Sequence, residues 1–146
     1  MIWLVDTNVI SELGRKLPNK NVVEWFTSVP KSDLAVSVVS MAEIRFGVES
    51  LSDAVKQSRY AAWLDEAVRP LFTDRTLVIT EDILVMWQSL ALKMRRQKRT
   101  LPQSDSLLAA TALHLKLKVC TRDTKPFELC GVATFNPWTG ESFNGA

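Results

Sequence analysis

A three-layer α/β/α domain, with a mostly parallel sheet of four to five strands, is the architecture this 146-residue chain predicts. Three observations predict it. Short runs rich in branched apolar residues recur without polar alternation, the pattern of strands buried on both faces. Longer segments with apolar residues at three- and four-residue steps separate them, as crossover helices require. Acidic residues stand where apolar runs end or helices begin, and in such sheets ligands collect beyond the carboxyl ends of the strands.

The elements follow in order. Ile2 to Val5 reads as a buried parallel strand. Thr7 and Asn8 are good helix starters, and a short helix runs from them toward Gly14. Asn19 to Ser28 forms a second helix, with Val22, Val23 and Phe26 on one side. After the break at Pro30-Lys31, the Val-rich stretch Leu34 to Val39 is a second buried strand. Ser40 then opens a helix through Ile44 and Val48, and Asp53 to Phe72 is a longer amphipathic one. Thr76 to Ile79 is a third strand, and Glu81 to about Arg96 a further helix. Ser104 to Leu115, full of small and apolar residues, suits close packing on a sheet. Lys118 to Thr121 is the fourth strand, and Ala133 to Phe135, ended by Asn136-Pro137, the fifth. The chain is expected to be one domain over residues 1–146, with the tail after about residue 138 loosely held.

Composition excludes several classes. A net charge of +2 carries no global nucleic-acid signal, so any basic footprint has to be local. Cys120 and Cys130 form no C-x-x-C pair and have no second Cys/His group to complete a zinc site, so two reduced thiols are expected. The apolar start has no basic region before it and is interrupted early by Asp6. No run is long enough to span a bilayer, and a soluble cytoplasmic protein is the expectation. No Walker A loop, G-x-S-x-G elbow or G-x-G-x-x-G occurs. The single histidine, His114, falls nine residues after Asp105, on the opposite face of that helix.

The chemistry then rests on four acids: Asp6, Glu43, Asp105 and Asp123. Each has a structural explanation by itself. Ser40 to Glu43 fits a capping box, Asp105 opposes the dipole of a first helical turn, Asp123 suits a turn and Asp6 suits a cap. Asp6 is harder to dismiss, because a carboxylate directly after four apolar strand residues must be hydrated, paired or metal-bound. Four like charges drawn to one locus call for a divalent cation between them, and oxygen donors without a Cys or His cluster suit a hard ion such as Mg2+. That donor set points to phosphate chemistry. Lys93, Arg95, Arg96, Lys98 and Arg99 crowd one stretch before Asp105, reading either as a solvated helix end or as phosphate contacts bordering the acids. Arg45 and Arg122 are further candidates for steering a phosphate backbone. The five tryptophans read as core or subunit interface rather than base-stacking platforms.

V-D-T-N-V-I-S-E at the start, M-A-E-I-R-F-G around Glu43, D-S-L-L-A-A-T-A from Asp105 and T-R-D-T-K-P-F around Asp123 resemble the motifs of PIN-domain ribonucleases. More narrowly they resemble VapC-type toxins of bacterial toxin–antitoxin pairs, and F-N-P-W at 135 to 138 is similar to the FitB-like branch. The resemblance spans nearly the whole chain. It implies a small α/β/α domain that cleaves RNA with Mg2+, for which Mn2+ substitutes. It implies that Asp6, Glu43, Asp105 and Asp123 are the catalytic, metal-holding quartet, with Thr7 as a supporting hydroxyl. It further implies a homodimer, silenced by a VapB-type antitoxin that occupies the active-site groove and reaches promoter DNA only through that antitoxin. The chain departs from many relatives in having Pro126 where they carry an Asp, with Asp123 at a position often held by Asn. An aspartyl-nucleophile phosphatase fits less well, since Asn8 stands where its D-x-D-x-T needs an acid. A third reading is a non-catalytic module whose acidic groove only receives an arginine-bearing partner.

Overall fold

The computed structural model describes residues 1–146. The strands are β1 (Trp3–Val5), β2 (Leu34–Ser37), β3 (Thr76–Leu77), β4 (Lys118–Cys120), β5 (Thr134–Phe135) and β6 (Ser142–Phe143). The helices are α1 (Thr7–Leu13), α2 (Lys20–Ser28), α3 (Val38–Glu49), α4 (Ala54–Trp63), α5 (Arg69–Leu71), α6 (Glu81–Arg96), α7 (Gln103–Leu115) and α8 (Lys125–Leu129). They build one six-stranded sheet in the order β3-β2-β1-β4-β5-β6, parallel except for β6. Side-chain alternation sends Leu4 and Val119 into the core under α6, α7 and α8, and Val5, Val36 and Cys120 into the core under α1, α2 and the segment after α4. Both faces are therefore covered, which is why these strands carry no polar alternation.

The chain leaves β1 toward β2 and β3 on one side, then returns to lay β4 and β5 on the other. The switch point lies between β1 and β4, where adjacent crossovers diverge and open a crevice at the strands' carboxyl ends. Val5 pairs with Cys120 in the parallel register, and the Asp6 amide donates to the Cys120 carbonyl at 3.0 Å. Asp6 and Thr121 thus leave the sheet side by side.

Several expectations change. The sheet has six strands, not four or five, and part of the tail is held rather than loose. The Asn136 amide donates to the Glu141 carbonyl and Gly140 turns at φ 81°, so the chain reverses after Asn136-Pro137 and lays β6 antiparallel on β5. The second strand ends at Ser37, whose hydroxyl accepts from the Val39 amide and starts α3 two residues earlier than predicted. Ser40 is consequently inside the helix, fully buried with its hydroxyl unpartnered, and no capping box to Glu43 forms. Glu43 moves from the first to the second helical turn. The single helix expected over 53 to 72 is broken by a π-helical turn at Leu64–Val68 and continues with Pro70 in the short α5. The third strand is only Thr76–Leu77.

Trp63, at the end of α4, lies against the backbone of Gly14 after α1. A Cβ at Gly14 would stand 2.7 Å from Trp63 Cζ2. Gly14→Ala should therefore push the indole out of its half-buried seat and cost about 1–3 kcal/mol. Urea unfolding with an unchanged m-value is the check, and a loss under about 0.5 kcal/mol would mean that the ring yields freely.

Candidate active site

Asp6 sits at the N-cap of α1 and is only 5% exposed. Its Oδ1 accepts from the Thr7 amide at 2.7 Å. Its Oδ2 accepts from the Thr121 hydroxyl at 2.7 Å and from Asn8 Nδ2 at 3.4 Å. Capping therefore accounts for one oxygen. The other is held by residues from the neighbouring strand end and the first turn of α1. Burial is the main cause that raises the Asp6 carboxyl above the ordinary carboxylate range, and the charges of Glu43 and Asp123 add to it. The hydrogen bonds from Thr121 and Thr7 oppose that rise.

Thr121 is the hub. Fully buried at the end of β4, its Oγ1 donates to Asp6 and accepts from Asn8 Nδ2 at 3.2 Å and from the Asp123 amide at 3.0 Å. Asn8 in turn accepts from the Arg122 amide at 3.2 Å. One hydroxyl thus fixes the Asp6 rotamer and the turn that carries Asp123. Thr7 donates its hydroxyl to Glu43 Oε1 at 3.0 Å, tying α1 to α3. The sequence offers Asn8 only as a helix starter and a mismatch to D-x-D-x-T, and Thr121 only as a strand end, with no site role for either. The signal available for both was adjacency to an acid, Asn8 two residues past Asp6 and Thr121 two before Asp123.

Asp105 lies in the first turn of α7, partly exposed. Desolvation first, then the charges of Asp6, Asp123 and Glu43, push its carboxyl up to about 6. Asp105 therefore lies within electrostatic reach of Asp6, Asp123 and Glu43. No three Asp, Glu, His or Cys side chains converge at ligating distance around one point. The ion pairs of the chain join Arg15 to Glu12, Lys20 to Glu24, Arg45 to Glu49 and Arg69 to Asp65, and none neutralises the quartet. By donor type this all-oxygen set suits a hard divalent cation, and gathering three of its members around one ion requires them to move closer together.

The raised Asp105 carboxyl has a stability consequence. Its folded pKa, about 6, exceeds the ordinary 3.8, so the native state holds the proton more tightly than the unfolded chain. Stability then falls as pH rises through the window from about 4 to about 6, and the full penalty is present above it. Asp105→Asn removes this slope. Because Asp105 is partly solvent-screened, the gain at pH 7.5 without divalent ions should be on the order of 1 kcal/mol rather than the full two-unit value. Thermal melts of both proteins at pH 5 and pH 7.5 check it, and equal pH slopes would contradict the coupling.

The other candidates fall outside this crevice. Lys93, Arg95, Arg96, Lys98 and Arg99 are exposed at and beyond the end of α6, none in an ion pair. Lys98, at φ 55°, closes a Schellman turn in which its amide donates to Arg95 and the Arg99 amide to Met94. That turn brings the segment toward α7. Arg45 is engaged by Glu49 along its own helix at 2.8 Å. The Arg122 guanidinium stands 5.1 Å over the Trp138 ring. Pro126 lies in the first turn of α8, directly after the turn carrying Asp123. His114 is exposed, and both cysteines are free and buried. Trp3, Trp25 and Phe135 pack as an aromatic cluster, with Trp3 and Trp25 edge-to-face at 5.3 Å. Beside Glu43 and Thr7 a groove of about 330 Å³ runs between α1, α3 and α4, walled by Ile44, Val48, Tyr60 and Trp63.

A parallel sheet with acids at the switch point between its central strands defines a class of α/β domains with a polar crevice at the strands' carboxyl ends. The PIN domain model matches residues 3–131. The chain belongs to the PIN-domain family. It is 36% identical to Toxin FitB of Neisseria gonorrhoeae over 92% of this chain and 97% of that protein. It is 31% identical to VapC ribonuclease Y4jK of Sinorhizobium fredii, over 92% and 96%. The crystal structure of FitAcB from Neisseria gonorrhoeae, 36% identical, matches 94% of this chain and 99% of that one with a TM-score of 0.89.

Proposed function

We propose that this chain is a divalent-metal-dependent endoribonuclease and the toxin of a toxin–antitoxin pair. The observation that carries the reading is Asp6, buried at the switch point and clamped by Thr7 and Thr121, with Glu43 tied to it through the Thr7 hydroxyl and the Asp123 amide through Thr121. The ribonuclease and toxin names of the S. fredii and N. gonorrhoeae relatives support it.

In this reading Asp6 and Asp105 are the principal holders of Mg2+ or Mn2+, and Glu43 and Asp123 complete the set. When bound, such an ion supplies Lewis acidity toward phosphoryl oxygens and toward water. The chain's own residues do the rest. The Thr121 hydroxyl and the Thr7 amide hold Asp6 in one rotamer, while the Thr7 hydroxyl aims Glu43. A neighbouring carboxylate of the set, rather than Asp6 or Asp105, would take up the proton of an attacking water. The hydrolysis is read as direct and in-line, since the Cys120 thiol is buried and held protonated and His114 is exposed on the far face of α7. The partners in this reading are RNA, a second copy of the chain and a small antitoxin. The antitoxin's segment fits the half-apolar groove beside Glu43.

The test is cleavage of total RNA by the purified chain, read by sequencing of new ends. Chelation with EDTA should stop it and Mg2+ or Mn2+ restore it. Cleavage indifferent to chelator would remove the metal scheme, and antitoxin binding without any RNA cleavage would favour the non-catalytic module.

A further inference from the structure

Between the end of α6 and the start of α7 lies a second cleft of about 400 Å³, separate from the groove beside Glu43. Leu90 and Met94, both nearly fully buried, form its floor with Leu101. The Trp87 indole forms a wall and is pinned there, its Nε1 donating to Ser106 Oγ at 2.8 Å. Ser106 in turn donates to the Gln103 carbonyl. Arg95 and Arg99 stand at the rim, exposed and in no ion pair, and no carboxylate lines the cleft. A flat apolar slot with a fixed indole and two free guanidiniums is complementary to a planar aromatic body attached to an anion.

We propose that this cleft takes an unpaired nucleobase of the RNA, stacked against Trp87, with the adjoining phosphate on Arg95 and Arg99, which departs for Trp87 from the reading of the tryptophans as core or interface. Gln103 and Ser106 line the cleft from the first turn of α7, the same turn that carries Asp105 about 100° around the helix from Ser106. A base seated here would lie on a neighbouring face of the turn that carries Asp105, so the cleft would select sequence within the strand that reaches the acids. Base–aromatic stacking and Arg–phosphate contact are the ordinary means of holding single strands. The inference rests on the ribonuclease reading for its ligand but not on the metal chemistry for its geometry.

The experiment uses the full chain carrying Asp6→Asn, to prevent cleavage. It measures anisotropy with labelled single-stranded RNA hexamers, intact or with one abasic nucleotide walked through each position. At one position loss of the base should weaken binding about tenfold or more. Ala91 is exposed on the rim, so a larger side chain there can lie over Leu90 and Met94 and fill the cleft. Ala91→Phe, with its fold verified by melting, should bring the affinity for intact RNA down to that for the abasic form. Arg95→Ala with Arg99→Ala should flatten the salt dependence of binding. Equal affinity for intact and abasic RNA at every position, or a base preference that survives Ala91→Phe, overturns the proposal. So does a cleft filled only by a protein partner's side chain, which gives the same absence of base preference. Cleavage by the unmutated chain is scored in parallel. Cleavage with an unblocked preference sinks the cleft and leaves the nuclease. A preference lost in Ala91→Phe with no cleavage by the unmutated chain sinks the nuclease and leaves the cleft.

Discussion

Asp6→Asn is expected to lower RNA cleavage by about 10³-fold or more while leaving a cooperative fold. The change keeps size and shape but removes the one charge that the site has gone furthest to bury and clamp. Each tenfold in rate is about 1.4 kcal/mol, so the loss corresponds to about 4 kcal/mol, ordinary for an ion held by an essential carboxylate. Stability moves the other way or hardly at all. The asparagine Oδ1 still accepts from the Thr7 amide, and the repulsion of Glu43 and Asp123 is relieved. The cost is that the asparagine amide now faces Thr121 Oγ1, which must turn its own hydrogen elsewhere. The two effects are of similar size, and unfolding free energy should change by no more than about 1 kcal/mol. Cleavage and denaturant unfolding on the same preparation check both halves. Activity within about tenfold of the parent would take Asp6 out of the mechanism.

Thr121→Val is the second large effect, and here stability and activity fall together. The substitution is nearly isosteric but deletes a hydroxyl that makes one donated and two accepted hydrogen bonds in a fully buried place. The Asp6 carboxylate is left with a long contact to Asn8 on Oδ2, and the Asp123 amide loses its partner. Leaving a buried charged acceptor and a donor short of partners costs about 3 kcal/mol. The loss of the residue that orients an ion-holding carboxylate costs about 10–100-fold in metal affinity or rate. A purely structural role would not move the pH profile, but this one should. The Thr121 hydrogen bond lowers the Asp6 pKa, so its removal lets burial raise that pKa further. The acid limb of the cleavage profile then shifts to higher pH. Thr121→Ser, which restores the hydroxyl, should recover most of both losses. A Thr121→Val profile superimposable on the parent's would reduce Thr121 to packing.

Much of the site was legible because acids at the ends of apolar runs are local features. A four-residue apolar run closing on Asp6 announces a buried strand with a charged exit, whatever lies elsewhere in the chain. Asp105 in a first helical turn was readable for the same reason. Glu43 was misplaced by one turn, because Ser37 and Ser40 are both good caps and only packing chose between them. Once β2 ended at Ser37, Ser40 was swallowed into the helix with no partner for its hydroxyl. The edge strand β6 was missed because a two-residue strand has no periodicity to read. It exists only because β5 offers an unpaired edge within reach of the turn at Gly140.

By itself the sequence determined which segments bury and which acids stand at their ends, since burial pattern and caps are written within a few residues. Only the tertiary structure decided that β1 and β4 are neighbours, and with that the bond from Thr121 to Asp6 across 115 residues of chain. The same adjacency set the crevice at the switch point and the charge coupling that lifts Asp105. Long-range pairing depends on how whole layers pack and which loops close, and no local stretch of chain carries that information.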